Sequence, residues 1–413
     1  MIVYYFTNYA AMDNSNIKKR IQSIDVLRGL VMVIMALDHV RDFFYKVNLE
    51  KAGSAATGPT DLETTYPMLF FTRWITHFCA PIFVFLAGTS IYLMSRKKTK
   101  KELSGFLISR GLWLIIVEVI IITFSWTFNP LFNLLILQVI WAIGISMILM
   151  GILIQLPYKA ILFLGLLIVF GHNILDYKAV NESLKGSVLA NLLYFSEFSV
   201  YPIFKDHFIL IVYSFLPWLG VMMLGYCFGK LYTPDVDIVW RRKILLQLGT
   251  VLLVLFVLIR LSNLYGDPVP WSEQARGPVY TFLSFFNLNK YPPSLLYLCM
   301  TIGAGMFFLA CIEKVQNRFT GIMNIYGRVP MFYYILHFYF IHILVVIVFY
   351  LQGFSSADIV TPGLPFLFRP PAFGFNLWGV YAVWAFVVII LYPLCKKYNT
   401  YKSTHQKWWL GYL

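Results

Sequence analysis

Long apolar runs recur along the whole chain, and they restrict its fold more than any other feature of the sequence. A helix needs about 20 apolar residues to cross the hydrocarbon core of a bilayer. Such runs predict ten spans, at 24–46, 67–95, 106–127, 131–154, 160–175, 207–229, 244–264, 294–312, 330–350 and 375–395. Only 13% of the 413 residues are charged, whereas soluble domains carry about 25%. The sequence therefore predicts an all-α fold, a polytopic transmembrane helical bundle of about ten spans.

The distribution of charged residues predicts how this bundle lies in the membrane. An even number of spans places both termini on one side, and Lys and Arg are concentrated in the loops of that side. Because cytoplasmic loops of membrane proteins are enriched in Lys and Arg, both termini are predicted to be cytoplasmic. The expected organisation is an N-terminal segment (1–23), a single transmembrane domain (24–395) and a basic tail (396–413). This pattern accounts for the net charge of +14, and no motif indicates nucleic-acid binding.

The outer loops are candidates for ligand contacts, whereas the cysteines are not candidates for metal binding. Three outer loops are long, at 47–66, 176–206 and 265–293, and the last is rich in Pro, Gly, Trp and Tyr. Because long ordered loops often carry function, we interpret 265–293 as a lid over an external opening, with interfacial aromatics and turns as the simpler alternative. The five cysteines lie in apolar spans without the spacing of metal ligands, so no metal site is predicted.

The first predicted span ends in a cluster of ionisable residues that is unusual for a membrane helix. Asp38, His39, Arg41 and Asp42 occupy four of five consecutive positions. Ionisable residues inside a membrane are costly and typically face a cavity, and histidine is the side chain best matched to proton transfer near neutral pH. These residues predict a functional site around His39. For the two aspartates and Arg41, a cluster of salt bridges that anchors the helix end is the alternative.

The second span is predicted to bring more ionisable residues to the same depth. Arg73 and His77 lie one helical turn apart near its outer end. Antiparallel helices joined by a modest loop usually pack together, so both side chains are expected near His39 and Arg41.

The inner side carries a basic stretch that is a candidate phosphate site. The sequence "SRKKTKKELSGFLISRG" presents Lys97 and Lys98 in a loop and Arg110 inside the following helix. Arginine binds phosphate groups through two parallel hydrogen bonds. The alternative is the positive-inside signal together with contacts to lipid headgroups. Glu118, two turns deeper, is predicted to pair with Arg110 or to line the same cavity.

Several motifs resemble those of known membrane acyltransferases. The opening helix, with Leu-Arg-Gly followed by a histidine ten residues after Gly29, resembles that of the transmembrane acyltransferases. A closer resemblance is to the heparan-α-glucosaminide N-acetyltransferase family and its bacterial relatives. It covers most of the chain from residue 20 to 345, in the strings "SIDVLRG", "HFCAPIFVFLAGTSIYL", "RGLWLIIVE", "ILQVIWAIG", "LPWLGVMMLGYCFGK", "NKYPPSLLYLCMT" and "GRVPMFYYILH".

This resemblance implies a bacterial inner-membrane enzyme that transfers an acetyl group. The donor would be cytosolic acetyl-CoA, and the acceptor an extracytoplasmic glycan or amino sugar. His39 would act as general base or as nucleophile, with Asp38 or Asp42 orienting its ring. The lysosomal enzyme has Asn at the position of His39 and its catalytic histidine in the following loop. This chain has no histidine between Val40 and Thr76, so His77 is the second choice.

The resemblance also suggests which residues would contact the two substrates. The candidates for binding acetyl-CoA are Arg28, Lys97, Lys98, Arg110 and His337. The candidates for binding the acceptor are Arg41, Arg73, Trp271, Asn287 and Lys290. The other expected contact is with the lipid bilayer, and the oligomeric state, a homodimer included, is left open. A proton-coupled transporter of a small polar solute, with the outer charges as its gate, is the competing function.

Overall fold

Helices account for most of the chain, as predicted for an all-α membrane protein. The computed structural model describes residues 21–46, 59–184, 186–196, 198–361 and 366–411. The α-helices of seven residues or more in the first half are α1 (Gln22–Phe44), α2 (Pro67–Thr76), α3 (Cys79–Ser95), α4 (Lys100–Ile116), α5 (Val139–Leu153), α6 (Tyr158–Gly171) and α7 (Lys178–Leu184). Those of the second half are α8 (Leu216–Phe228), α9 (Ile238–Ser262), α10 (Pro278–Phe286), α11 (Leu295–Ile312), α12 (Arg318–Arg328), α13 (Pro330–Leu351) and α14 (Leu377–Thr404).

Seven helical segments of the described chain are long and apolar enough to cross a membrane. They are Pro67–Ser95, Lys100–Thr127, Tyr158–Asp176, Ile238–Ser262, Leu295–Ile312, Pro330–Leu351 and Leu377–Thr404. The other three predicted spans contain α1, α5 and α8. Helix α1 has 23 residues but carries charged side chains towards both ends. Helices α5 and α8 are short, with 15 and 13 residues. The protein is thus an integral membrane protein, and the predicted orientation stays a prediction.

The short length of α5 and α8 has a structural cause, because part of each predicted span is a β-strand. A three-stranded sheet is formed by β1 (Leu134–Leu137), β2 (Ser199–Phe204) and β3 (His207–Ile211). The central strand β3 pairs in parallel with β1 and antiparallel with β2. The prediction of helix from 131 and from 207 was therefore wrong at these residues. Hydropathy does not distinguish a short apolar strand from the start of a membrane helix.

Two proline residues break helices next to the site described below. Pro81 has no N–H group, so the carbonyl of His77 lacks its helical donor. The hydroxyl of Tyr297 donates to that carbonyl instead, at 2.6 Å, and the predicted span 67–95 is divided into α2 and α3. Pro330 occupies the first turn of α13, where a proline is tolerated. The break at Val329 separates α13 from α12.

Paired glycines allow the helix backbones to touch where α1 crosses α12. A Cβ atom built on Gly29 would overlap the carbonyl oxygen of Met323, and one built on Gly327 would overlap the carbonyl oxygen of Asp25. Helices α3 and α8 meet in the same way, through Gly88 and Gly225. Small residues permit such close approach of membrane helices. The crossing at Gly29 and Gly327 fixes the position of α1, which carries His39.

Candidate active site

Two histidines from helices far apart in sequence form a hydrogen bond inside the bundle. His39 Nδ1 on α1 lies 2.7 Å from His337 Nε2 on α13. The planes of the two rings differ by 22°, and the ring centroids lie 5.0 Å apart. The side chain of His337 is fully buried, whereas His39 is partly accessible. From the sequence, His39 was predicted as the catalytic residue and His337 as a contact for acetyl-CoA. The structure places the two side chains next to each other.

The hydrogen bonds of this pair determine where the protons lie. His337 Nδ1 is 3.0 Å from the backbone carbonyl of Tyr333, which can only accept. In its neutral form His337 therefore carries its proton on Nδ1 and has a lone pair on Nε2. His39 must then donate from Nδ1, which leaves the lone pair of His39 on Nε2. A histidine held in one tautomer in this way is arranged to act as a base.

Aromatic side chains enclose the ring of His39. The ring centroid of Phe338 lies 4.1 Å from that of His39, and those of Trp126 and Tyr334 lie at 5.7 and 6.2 Å. Among the described residues, the indole N–H of Trp126 and the hydroxyl of Tyr334 are buried without a hydrogen-bond partner. Buried polar groups are normally paired, so these two groups are candidates for contacting a ligand. Neither Trp126 nor Tyr334 was predicted from the sequence, although Tyr334 lies in the motif that contains His337.

Neither predicted aspartate holds the second ring nitrogen of His39, because His337 occupies that position. Asp38 Oδ1 pairs with Arg41 at 2.8 Å, and Asp38 Oδ2 lies 3.7 Å from Lys290 Nζ. Asp42 pairs with the same Nη2 of Arg41 at 2.7 Å. Successive helical residues are rotated by about 100°, so Asp38 faces a different direction from His39. The two carboxylates instead organise the cations on the outer side of the site.

The structure brings Arg73 and His77 to the same region, as expected for the second span. Arg73 lies within electrostatic range of Asp38, Arg41 and Asp42. His77 interacts electrostatically with Asp38 and Lys290. It is only 5% exposed, and both of its ring nitrogens are without a hydrogen-bond partner in the described chain.

Trp271 and Asn287, two predicted acceptor contacts, form hydrogen bonds that stabilise segment 265–293, which the sequence predicted as a lid. The side-chain amide of Asn287 exchanges two hydrogen bonds with the backbone of Thr60, at 2.9 and 2.7 Å. The backbone of Trp271 does the same with the side chain of Asn263. The buried guanidinium of Arg260 donates to four backbone carbonyls of this segment, those of Val269, Ser284, Phe285 and Asn287. The part of the predicted outer loop at 47–58 lies outside the described residues.

Asp267 connects segment 265–293 to the start of α11 and fixes the chain around Lys290. Its carboxylate accepts from the hydroxyl of Ser294 at 2.6 Å and from the N–H of Asn289 at 2.9 Å. Burial raises the pKa of Asp267, because desolvation disfavours the charged form, and the nearby Arg260 opposes that shift. The segment from Asn289 to Ser294 is thereby fixed, and with it the position of Lys290 beside Asp38.

The predicted inner residues occupy different environments. Arg28 pairs with Asp25 at 2.9 Å and donates to Ser90 Oγ and to the Gly327 carbonyl, both at 3.2 Å. These contacts join α1 to α3 and α12. Arg110 is at the surface of α4, where it donates to the carbonyl of Gly411 in the tail.

The loop lysines and Glu118 also lie apart from one another. Lys97 and Lys98 are exposed in the inner loop, and Lys98 lies 5.9 Å from the ring centre of Phe106. Glu118 is fully buried, and its carboxylate accepts from the N–H of Trp141 at 2.9 Å. It thus caps the first turn of α5.

A comparison with protein families identifies one match. The family described as heparan-alpha-glucosaminide N-acetyltransferase, catalytic, matches residues 20–260, more than half of the chain. The matched region contains His39, Arg73, His77 and Arg110, whereas Lys290 and His337 lie beyond it. No curated protein matches this chain.

Proposed function

Because this chain belongs to the heparan-alpha-glucosaminide N-acetyltransferase catalytic family, we propose that it transfers an acetyl group across the bacterial inner membrane. The donor is cytosolic acetyl-CoA, and the acceptor is a hydroxyl or amine of an extracytoplasmic sugar. Family membership supports a membrane N-acetyltransferase and disfavours the alternative of a proton-coupled transporter. The donor, the acceptor and the membrane compartment belong to the proposal.

The hydrogen bond between His39 and His337 is the observation that carries this proposal. It leaves His39 Nε2 unprotonated and fixes the orientation of the ring. The surrounding aromatic side chains limit access of bulk water, which protects a thioester from hydrolysis. A general base needs this combination of a free lone pair and a fixed position.

In the proposed reaction, His39 Nε2 removes the proton from the acceptor as the acceptor oxygen or nitrogen attacks the thioester carbonyl. A bond forms between that atom and the acetyl carbon, the carbon–sulfur bond breaks, and the proton on His39 passes to the departing thiolate. The nearby carboxylate of Asp38 favours the transient positive charge of His39, whereas the cations Lys290 and Arg41 oppose it. A covalent route through an acetylated His39 Nε2 is the alternative, and ping-pong kinetics would identify it.

Transfer from radiolabelled acetyl-CoA to glucosamine, by purified protein in detergent, tests the proposed function. We expect label in glucosamine and a rise in the unfolding temperature on addition of acetyl-CoA. S-acetylpantetheine, which lacks the nucleotide phosphates, serves as the control and is expected to give a smaller rise. An equal rise with both compounds, or no transfer to any amino sugar or glycan acceptor, would contradict the proposal.

Arg110→Ala is expected to raise the KM for acetyl-CoA by about tenfold and to change kcat little. The reason is that a hydrogen bond to a charged group contributes about 1.5–3 kcal/mol to binding. Steady-state kinetics with acetyl-CoA as the varied substrate provides the measurement. Lys159→Ala, which removes an exposed positive charge from the first turn of α6, is the control. An unchanged KM would remove Arg110 from the donor site.

His337→Ala is expected to lower kcat by about 10²-fold and to leave the KM for acetyl-CoA unchanged, because loss of a tautomer-fixing partner impairs the base rather than binding. If His337 instead contacted acetyl-CoA, as predicted from the sequence, the KM for acetyl-CoA would rise. The two roles of His337 therefore predict different kinetic changes. The same transfer assay, with each substrate varied in turn, distinguishes these two outcomes.

A further inference from the structure

Two buried hydrogen-bond donors beside His39 have no partner among the residues that the structure describes. They are the indole N–H of Trp126 and the hydroxyl of Tyr334. We propose that they form the oxyanion hole of the acetyl transfer, which means that both donate to the acetyl carbonyl oxygen while it carries negative charge. This inference rests on the proposed function and adds two catalytic residues to it.

Burial and contact with His39 together select these two side chains. In the described chain, the rings that lie against that of His39 belong to His337, Phe338, Trp126 and Tyr334. His337 already binds Nδ1 of His39, and Phe338 has no polar group. Trp126 and Tyr334 are only 7% and 3% exposed, and an unsatisfied donor at that depth is unfavourable. A ligand oxygen placed next to His39 would satisfy both donors.

Both donors lie at the distance from His39 at which the thioester carbonyl is expected. The acceptor atom that gives its proton to His39 Nε2 must lie about 3 Å from it, and the carbonyl carbon about 3–3.5 Å farther. The ring centroids of Trp126 and Tyr334 lie 5.7 and 6.2 Å from that of His39. The ring of Phe338 packs between these groups, with its centroid 5.1 and 5.2 Å from those of the two donors.

An irregular helix turn directs Trp126 towards His39. The N–H of Thr123 donates to the carbonyl of Glu118, five residues earlier, so the segment Val117–Ile122 is a π-helix. A π-turn contains one residue more than an α-turn, and side chains that follow it are rotated by about 100°. Without this extra residue Trp126 would face away from His39. Such π-turns occur frequently at functional sites.

Helix α13, which carries the second donor, also holds the backbone on either side of this turn. The hydroxyl of Tyr339 donates to the carbonyl of Ile121 at 3.0 Å. His342 Nδ1 lies 2.8 Å from the carbonyl of Ser125, the residue before Trp126. An oxyanion hole is effective when its donors are in place before charge develops. These two hydrogen bonds fix the two donors relative to each other.

The proposed donors act on the carbonyl oxygen only. When the acceptor attacks the acetyl carbon, the second electron pair of the C=O bond moves to the oxygen, which then accepts hydrogen bonds from Trp126 and Tyr334. When the intermediate collapses, that pair re-forms the C=O bond and the carbon–sulfur bond breaks. The thiolate takes the proton from His39 Nε2, and neither donor loses its own proton. Hydrogen bonds are stronger in such an enclosed site than in water.

Tyr334→Phe and Trp126→Phe each remove one donor and keep an aromatic ring. We expect each variant to lower kcat for transfer to glucosamine by about 10²-fold, because loss of one oxyanion donor typically costs about 10²–10³-fold. The KM for acetyl-CoA should change less than about twofold, since the donors act in the transition state. Steady-state kinetics with purified protein in detergent is the measurement.

Tyr398→Phe and Trp218→Phe are the matched controls. The hydroxyl of Tyr398 and the indole N–H of Trp218 are likewise buried without a partner in the described part of the chain. Their rings pack elsewhere, Tyr398 on Phe332 and Trp218 on Tyr213. Both control variants should keep kcat within about twofold of the wild-type value.

A second readout separates an oxyanion hole from a merely structural role. Acetyldithio-CoA carries sulfur in place of the carbonyl oxygen, and sulfur is a weak hydrogen-bond acceptor. The ratio of kcat for acetyl-CoA to kcat for this analogue should be about tenfold larger in the wild-type protein than in either variant. A structural role would lower both rates equally, and an unchanged ratio would overturn the inference.

The remaining outcomes distinguish this inference from the proposed function. Wild-type transfer together with an unchanged kcat in both variants would reject the oxyanion hole alone. A lower unfolding temperature with unchanged kcat in Tyr334→Phe would assign its hydroxyl to a structural bond with Glu118, which lies within electrostatic range. No transfer by the wild-type protein, with no rise in unfolding temperature on addition of acetyl-CoA, would reject both. If Trp126→Phe does not fold, Tyr334→Phe, which removes a single oxygen atom, decides the question.

Discussion

His39→Ala is expected to lower kcat for acetyl transfer by about 10³-fold or more, since a general base typically contributes about 10²–10⁴-fold. The variant loses the only lone pair that the histidine pair leaves available, at Nε2 of His39. Folding should be retained, because His39 is partly exposed and its removal leaves His337 bonded to the carbonyl of Tyr333. Transfer of label from acetyl-CoA to an acceptor is the measurement.

His405→Ala is the matched control for this prediction, because His405 is exposed near the end of α14. Its hydrogen bonds within the described residues go to Thr404 and Tyr401 of its own segment. Its turnover should equal that of the wild-type protein. The unfolding temperature of His39→Ala, with and without acetyl-CoA, should show that the protein is folded and binds the donor. Near-normal turnover by His39→Ala would show that another residue is the base, and His77 would be the first candidate.

Gly29→Ala is expected to destabilise the protein by about 3 kcal/mol or more, at the upper end of the range for overpacking. The new methyl group would overlap the backbone carbonyl of Met323. Backbone cannot move aside as a flexible side chain can, so α1 and α12 must separate. We expect a lower unfolding temperature in detergent and a smaller yield of monodisperse protein.

Gly321→Ala is the control for this substitution, since it makes the same chemical change in the partner helix α12. In the part of the chain that the structure describes, no atom beyond the chain neighbours and the adjacent helix backbone lies within 4 Å of a Cβ atom at Gly321. Alanine is a better helix former than glycine by about 1 kcal/mol, so this variant should be unchanged or slightly more stable. A stable Gly29→Ala protein would show that the helices at this crossing are farther apart than described here.

The site at the C-terminal end of α1 could be predicted from the sequence, because the residues that indicate it are close together in the chain. Four ionisable residues in five positions of an apolar helix are conspicuous without any tertiary information. The spacing of Arg73 and His77 on the next span was also sufficient to expect them nearby. Local patterns do not reveal that Trp126 contacts His39, because the two residues belong to different helices. The hydrogen bond between His39 and His337 could not be predicted for the same reason, because the two residues are far apart in sequence.

Sequence alone determined that this chain is a helical membrane protein, since burying long apolar runs in a bilayer requires helices with satisfied backbones. It also determined which residues carry ionisable groups inside the apolar region. The tertiary structure decided which of those groups meet. The crossing at Gly29 and Gly327 and the breaks at Pro81 and Pro330 set the angle and height of each helix. Hydrogen bonds depend on shifts of a few tenths of an ångström, so only the folded arrangement could assign the tautomer of His39.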